Sequence, residues 1–145
     1  MSKKEKAVES FLNGYNCSQA VFGAFSDSLG LDRDVALRIS TGFGGGCRRG
    51  EICGAASGAL MALGLGYGQH VQGDQETKDR AYALTRDFLA RFEAETGSVR
   101  CKEILGYDLS DPEDYPIIVK KGLFRTVCPK AIETSVEILE SLMAG

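Results

Sequence analysis

Apolar residues return at helical rather than alternating intervals along almost the whole chain. Val8, Phe11 and Leu12 stand at i, i+3 and i+4, which predicts a short amphipathic helix ending near Gly14. Asn16 suits the N-cap of a second helix, with Ala20, Val21, Ala24, Phe25 and Leu29 on its apolar face. Gly30 supplies the left-handed position that ends it. Asp32 is placed to cap a third helix carrying Val35, Leu37 and Ile39 and ending before Gly42.

The next segment, Gly42 to Gly50, reads GFGGGCRRG. Glycine costs a helix about 1 kcal/mol per residue relative to alanine, so this stretch predicts a loop with left-handed turns or close backbone approach. Cys53 to Leu65 follows as a helix with a small-residue face of Gly54, Ala55, Gly58 and Ala62, and bulk from Leu60, Met61, Leu63 and Leu65. That face lets another helix come close, which predicts a central position. Gly64 to Gly73 reads as a loop, and Asp74 as the cap of the longest helix, Gln75 to Glu95, with Ala81, Leu84, Phe88, Leu89 and Phe92 inward. Ser98 is placed to cap a short helix through Cys101 and Leu105. Ser110 to Tyr115, with Pro112, predicts a turn, and Ile117 to Val119 is the only candidate strand. The last helix starts at Pro129, a suitable first position, and carries Ile132, Val136, Leu139 and Leu142. The expected fold is all-α, an irregular bundle of five to seven helices in a single domain spanning 1–145.

Composition narrows the function classes. The length of 145 residues suits one core, and 43% hydrophobic with 26% charged residues is ordinary for a globular protein. The net charge is −3, and the only basic concentration is Lys3, Lys4 and Lys6, so no nucleic-acid partner is expected. The most apolar run, Ile52 to Tyr67, falls short of the roughly 20 residues that span a bilayer, so no membrane insertion is expected. The N-terminus lacks the apolar stretch of a secretory signal, and the expected location is cytoplasmic.

Cysteine carries the chemistry. The chain has five cysteines and a single histidine, His70, so a histidine-rich zinc site cannot be assembled. Cys17, Cys53, Cys101 and Cys128 each fall at a predicted helix N-terminus. Unpaired N–H groups and the helix dipole favour negative charge there, which predicts thiols that ionise readily. Thiolates bind soft metals, attack disulfides and reduce acceptors. The bland alternative is that each cysteine is a small buried hydrophobe. No C-x-x-C pair is present, so any centre must be assembled from distant segments. The backbones of Gly44, Gly45, Gly46 and Gly54 are expected close to it. Cys47 reads as a tolerated loop residue, with a fifth ligand or a resolving thiol as alternatives.

The ordered set of residues resembles a known family. Cys53-Gly54-Ala55-Ala56-Ser57-Gly58 matches the CGAxxG signature of the C_GCAxxG_C_C family of redox-active proteins. Asn16-Cys17-Ser18-Gln19-Ala20-Val21, the glycine run at Gly42 to Gly46, Gly97 with Cys101, and Cys128 extend the likeness over nearly the whole chain. The resemblance implies that Cys17, Cys53, Cys101 and Cys128 are the family's four cysteines, with a redox or iron–sulfur role.

Three functions compete on these grounds. The first is four thiolates holding an iron–sulfur cluster, zinc or another soft metal, with electron transfer to a redox partner protein. The second is a metal-free thiol–disulfide oxidoreductase or sensor. The third is an accessory domain with packed cysteines. Homodimer formation through small-residue faces is compatible with all three. Elsewhere, Gly44-Gly45-Gly46 lacks the Lys-Ser/Thr of a phosphate loop. Glu51 and His70 read as solvated loop residues, and Tyr15, Phe43 and Tyr67 as core or site-wall residues.

Overall fold

Capping residues set where the main helices begin. In the computed structural model, which describes residues 1–144, Ser2 and Glu5 form a reciprocal capping box for α1 (Lys3–Leu12). Asn16 does the same for α2 (Cys17–Ser26): its side chain accepts from the Gln19 N–H at 2.9 Å, while Gln19 accepts from the Asn16 N–H at 3.0 Å. After α3 (Arg33–Ser40) and the glycine loop come α4 (Gly54–Tyr67) and α5 (Gln75–Thr96), the latter capped by Asp74 through the Thr77 N–H. Three short helices follow, α6 (Cys101–Leu105), α7 (Tyr115–Lys120) and α8 (Leu123–Thr126), before α9 (Cys128–Ala144). The protein is an all-α bundle. No helix among the described residues is long and apolar enough to cross a membrane.

Helices α2 and α4 form the centre, and glycine permits their approach. A Cβ on Gly58 would stand 2.6 Å from the Ser18 carbonyl oxygen, and one on Gly54 would stand 3.0 Å from the Ser18 nitrogen. Ala55, Ala56, Ala59 and Ala62 are all fully buried around this contact. Helices α5 and α9 close over it. The rings of Phe88 and Phe92 stack at 5.7 Å, and the Ser135 hydroxyl donates to the Ala55 carbonyl at 2.7 Å.

Several sequence expectations need correction. Leu37 is buried as expected, but Val35 and Ile39 are exposed, and α3 buries Ala36 and Ser40 beside Leu37. The expected face took i, i+2 and i+4, which winds around a helix rather than along it. Helix α4 runs on to Tyr67, into the expected loop, because Gly64 and Gly66 are tolerated at a helix end. The candidate strand Ile117 to Val119 is helical within α7, where Pro116 sits in the first turn. Ser98 does not cap α6. Its hydroxyl accepts from the Arg100 N–H at 3.0 Å and the helix begins at Cys101. The short α8, absent from the sequence reading, starts at left-handed Gly122 and leads straight into α9.

The α2–α4 contact generates a prediction. In an open helix, Gly→Ala gains about 1 kcal/mol. Gly58→Ala is expected to reverse that sign and destabilise the protein by about 1–3 kcal/mol through overpacking, read from urea unfolding midpoints. The neighbouring Ser18 hydroxyl is buried without a hydrogen-bond partner. Ser18→Ala is therefore expected to leave stability equal or higher. A neutral Gly58→Ala would show that the backbones do not touch there.

Candidate redox site: a pocket of four cysteines

The capping geometry that starts the helices also brings the four sulfurs together. Cys17 is the first residue of α2, Cys53 the N-cap of α4, Cys101 the first residue of α6 and Cys128 the first of α9. All four line one cavity of about 70 Å³. Phe11, Ile104, Leu105, Leu109, Phe124 and Ala131 supply apolar wall, and Arg48 completes one side. Each of these residues keeps only a sliver of exposure, 8% for Cys17, 5% for Cys53, 7% for Cys101 and 9% for Cys128.

Two backbone devices hold this arrangement. The first is an isolated antiparallel bridge between Ile52 and Arg100. The Cys53 N–H donates to the Val99 carbonyl and the Cys101 N–H to the Glu51 carbonyl, both at 2.7 Å. Two cysteines distant in sequence are thereby fixed by each other's backbone. Glu51 is exposed, as expected of a loop carboxylate, and also pairs with Arg100 at 3.1 Å and Lys102 at 3.7 Å in a surface ion-pair group. The second device is the Asn16 side chain, which donates to the Thr41 carbonyl at 2.8 Å and packs against Gly44. A Cβ on Gly44 would lie 2.3 Å from the Asn16 side chain, so only glycine lets the loop close onto the start of α2.

Beyond Gly44 the loop turns left-handed for four consecutive residues. Gly45, Gly46, Cys47 and Arg48 have φ of 65°, 63°, 59° and 60°. For the two non-glycine residues this costs about 1–2 kcal/mol each. Of the glycines expected near the site, Gly45 and Gly54 line the cavity. Gly44 backs it through Asn16, while Gly46 is pressed on the backbone of Glu51. Cys47 points to solvent. Tyr15 and Phe43 lie on the surface rather than in the wall, at 37% and 39% exposure. The aromatic walls are Phe11 and Phe124, which the sequence reading did not single out.

Burial overrides the helix termini in setting thiol acidity. Desolvation pushes Cys53 up to about 11, although the Ala55 and Ala56 N–H groups pull the other way. Desolvation, reinforced by the Cys53 and Cys128 sulfurs, pushes Cys101 up to about 12, against the opposing charge of Arg48. Cys17 is raised well above its ordinary value, first by its hydrogen bond with Cys128 and then by burial. Only Cys128 is lowered, because Cys17 donates to it. The expectation of four readily ionised thiols is thus corrected to one.

The cysteine set bears on the metal expectation as well. Among the described residues, no group of three or more cysteine, histidine or carboxylate side chains is arranged to hold a metal ion. The sulfurs surround a cavity instead of closing on one point. The set therefore does not fit a single zinc ion, which needs four donors in contact with it.

Fold and site together define the class: an all-α bundle with one pocket that gathers four cysteines dispersed in the sequence. The chain belongs to the family described as "Putative redox-active protein (C_GCAxxG_C_C)", whose profile matches residues 15–142. No curated protein and no solved structure matches the chain.

The raised thiols generate a pH prediction. An unfolded Cys53 ionises near its ordinary value of 9.0, while the folded one keeps its proton to about 11. The native state therefore binds more protons between these values, and its stability falls as pH rises from 9 to 11. Urea midpoints measured across that window are expected to decline less steeply for Cys53→Ala than for the unaltered chain. Equal slopes would mean that Cys53 is not desolvated.

Proposed function

We propose that the cysteine pocket is a two-electron thiol redox centre in which Cys17 and Cys128 cycle between dithiol and disulfide. The observation that carries this reading is that these two thiols share one buried pocket at the starts of α2 and α9, close enough to shift each other's acidity, Cys128 downward and Cys17 upward. A more acidic thiol beside a less acidic one is a starting arrangement for disulfide exchange.

The chemistry balances with a small disulfide as acceptor. The Cys128 thiolate attacks one acceptor sulfur. The acceptor S–S bond breaks, a mixed disulfide forms, and the departing thiolate takes up a proton. Cys17 then releases its proton and attacks the Cys128 sulfur. The Cys17–Cys128 bond forms and the second acceptor thiolate leaves, also taking a proton. Two electrons pass from the pair to the acceptor; of the two protons it takes up, one is released by Cys17 and the other comes from solvent, which held the proton lost by Cys128. Cys53 and Cys101, raised to about 11 and about 12, stay protonated and take no part as nucleophiles.

A second reading is favoured by a separate observation, the facing of all four sulfurs onto one apolar cavity. Four thiols around a space suit a polynuclear soft centre better than a single ion, and an iron–sulfur group held by Cys17, Cys53, Cys101 and Cys128 would supply one-electron transfer. In that use the apolar wall would limit water, and the bridge between Ile52 and Arg100 would keep Cys53 and Cys101 in place.

One preparation separates the two. The reduced chain is treated anaerobically with hydroxyethyl disulfide and its peptides are mapped by mass spectrometry. The expected product lacks two hydrogens and links Cys17 to Cys128. Cys17→Ser is expected to stall as a mixed disulfide at Cys128. Stoichiometric iron and acid-labile sulfide in anaerobically purified protein, with no Cys17–Cys128 link after oxidation, would replace the first reading by the second.

A further inference from the structure

Arg48 has no partner that explains its position. Its backbone is left-handed at φ 60°, a conformation that residues with side chains rarely adopt. Its guanidinium folds back over Gly45, with the central carbon 3.0 Å and a terminal nitrogen 3.1 Å from where a Gly45 Cβ would stand. It thereby becomes a wall of the cysteine pocket. Among the described residues, no carboxylate forms an ion pair with it. The loop acid Glu51 is engaged by Arg100 and Lys102, and Asp108 accepts from the Ser110 N–H and hydroxyl. A strained turn thus delivers one unpaired cation to a pocket otherwise lined by thiols and apolar groups.

We propose that Arg48 is the specificity-determining residue of the pocket and selects small anionic ligands, in particular a disulfide or thiol carrying a carboxylate. This rests on the reading of the pocket as a thiol redox centre. The carboxylate meets the guanidinium at the mouth, where charge-assisted hydrogen bonding is strong. The sulfur end reaches the thiols, and the body lies along the Leu109 side of the wall. Strain held at Cys47 and Arg48 is then the conformational cost of aiming the cation.

The test uses two alkylating probes of similar size on the reduced full chain after treatment with a chelator. Iodoacetate is anionic and iodoacetamide is neutral. The same thiolate attacks the iodomethyl carbon of either probe and displaces iodide, so the ratio of their rates cancels changes in thiol ionisation and in pocket opening. Rates are read peptide by peptide at Cys17 and Cys128, the pair that lines the pocket with Arg48. Arg48→Gln is expected to lower the iodoacetate-to-iodoacetamide ratio about five-fold, the loss of one nearby charge. The ratio in the unaltered chain is expected to fall as salt is added. Arg48→Gly, which suits the left-handed backbone, is expected to lower the ratio equally while raising the melting temperature. Arg49→Gln, outside the pocket wall, is expected to leave the ratio unchanged.

An unchanged ratio in both Arg48 variants overturns the proposal while leaving the dithiol reading intact. An equal drop in Arg49→Gln overturns it too, since the effect would then be general loop charge. Failure of iodoacetamide to label either cysteine overturns it because no small molecule would reach the thiols. Formation of the Cys17–Cys128 disulfide alongside an unchanged ratio would show that the centre works without anion selection.

Discussion

The close backbone approach of α2 to α4 is the constraint on which the site depends. Gly54 and Gly58 leave no side chain between the two helices, so Ser18 of α2 rests directly on α4. This fixes the start of α2 against the start of α4, and with them Cys17 and Cys53. The remaining sulfurs are referred to that pair. Cys101 is tied to Cys53 through the bridge of Ile52 with Arg100. Cys128 arrives on α9, whose Ser135 hydroxyl bonds the Ala55 carbonyl of α4. Four helix beginnings thus share one origin, and packing sets their separation.

Much of this was legible because the signals are local. Asn16 followed by Gln19 is a cap whose partners lie within one turn, so the start of α2 can be read directly from residues. The same holds for Asp74 with Thr77, and for the small-residue face of α4. The placement of Cys17 and Cys53 at helix starts followed from those readings, and that of Cys128 from Pro129. What was not legible is non-local. Ser98 looks like a cap for α6, but the bridge between distant segments carries the Cys101 N–H to Glu51 and moves the start of the helix. Ile117 to Val119 has strand-like composition, yet a lone β-branched run without a pairing edge follows the helical turn begun at Tyr115.

The glycine loop illustrates the division within a single segment. Its glycine content excludes a right-handed helix, and that much is compositional. Continuation of the left-handed turn through Cys47 and Arg48 could not be expected, since side chains disfavour it. The turn persists because both of its ends are clamped. Gly44 is wedged against Asn16, and the Glu51 N–H bonds the Gly46 carbonyl at 3.1 Å. Tertiary clamping of this kind leaves no trace in local propensity, which is why Arg48 could be noted as a neighbour of Cys47 but not as a wall of the pocket.

Thiol acidity shows how two sound local arguments can be ranked only with the structure in hand. A helix N-terminus stabilises a thiolate through a few N–H dipoles, an effect worth up to about 2 kcal/mol in favourable sites. Removal from water penalises the same thiolate, and the penalty grows with burial. Cys53 meets both: the Ala55 and Ala56 N–H groups face it, yet it is raised to about 11. Desolvation therefore wins wherever no proton donor of comparable strength is present. Cys128 escapes because its neighbour is itself a buried thiol that gains by donating. Acidity in this pocket is consequently a property of the Cys17–Cys128 pair and not of helix starts in general: three of the thiols are raised and Cys128 alone is lowered.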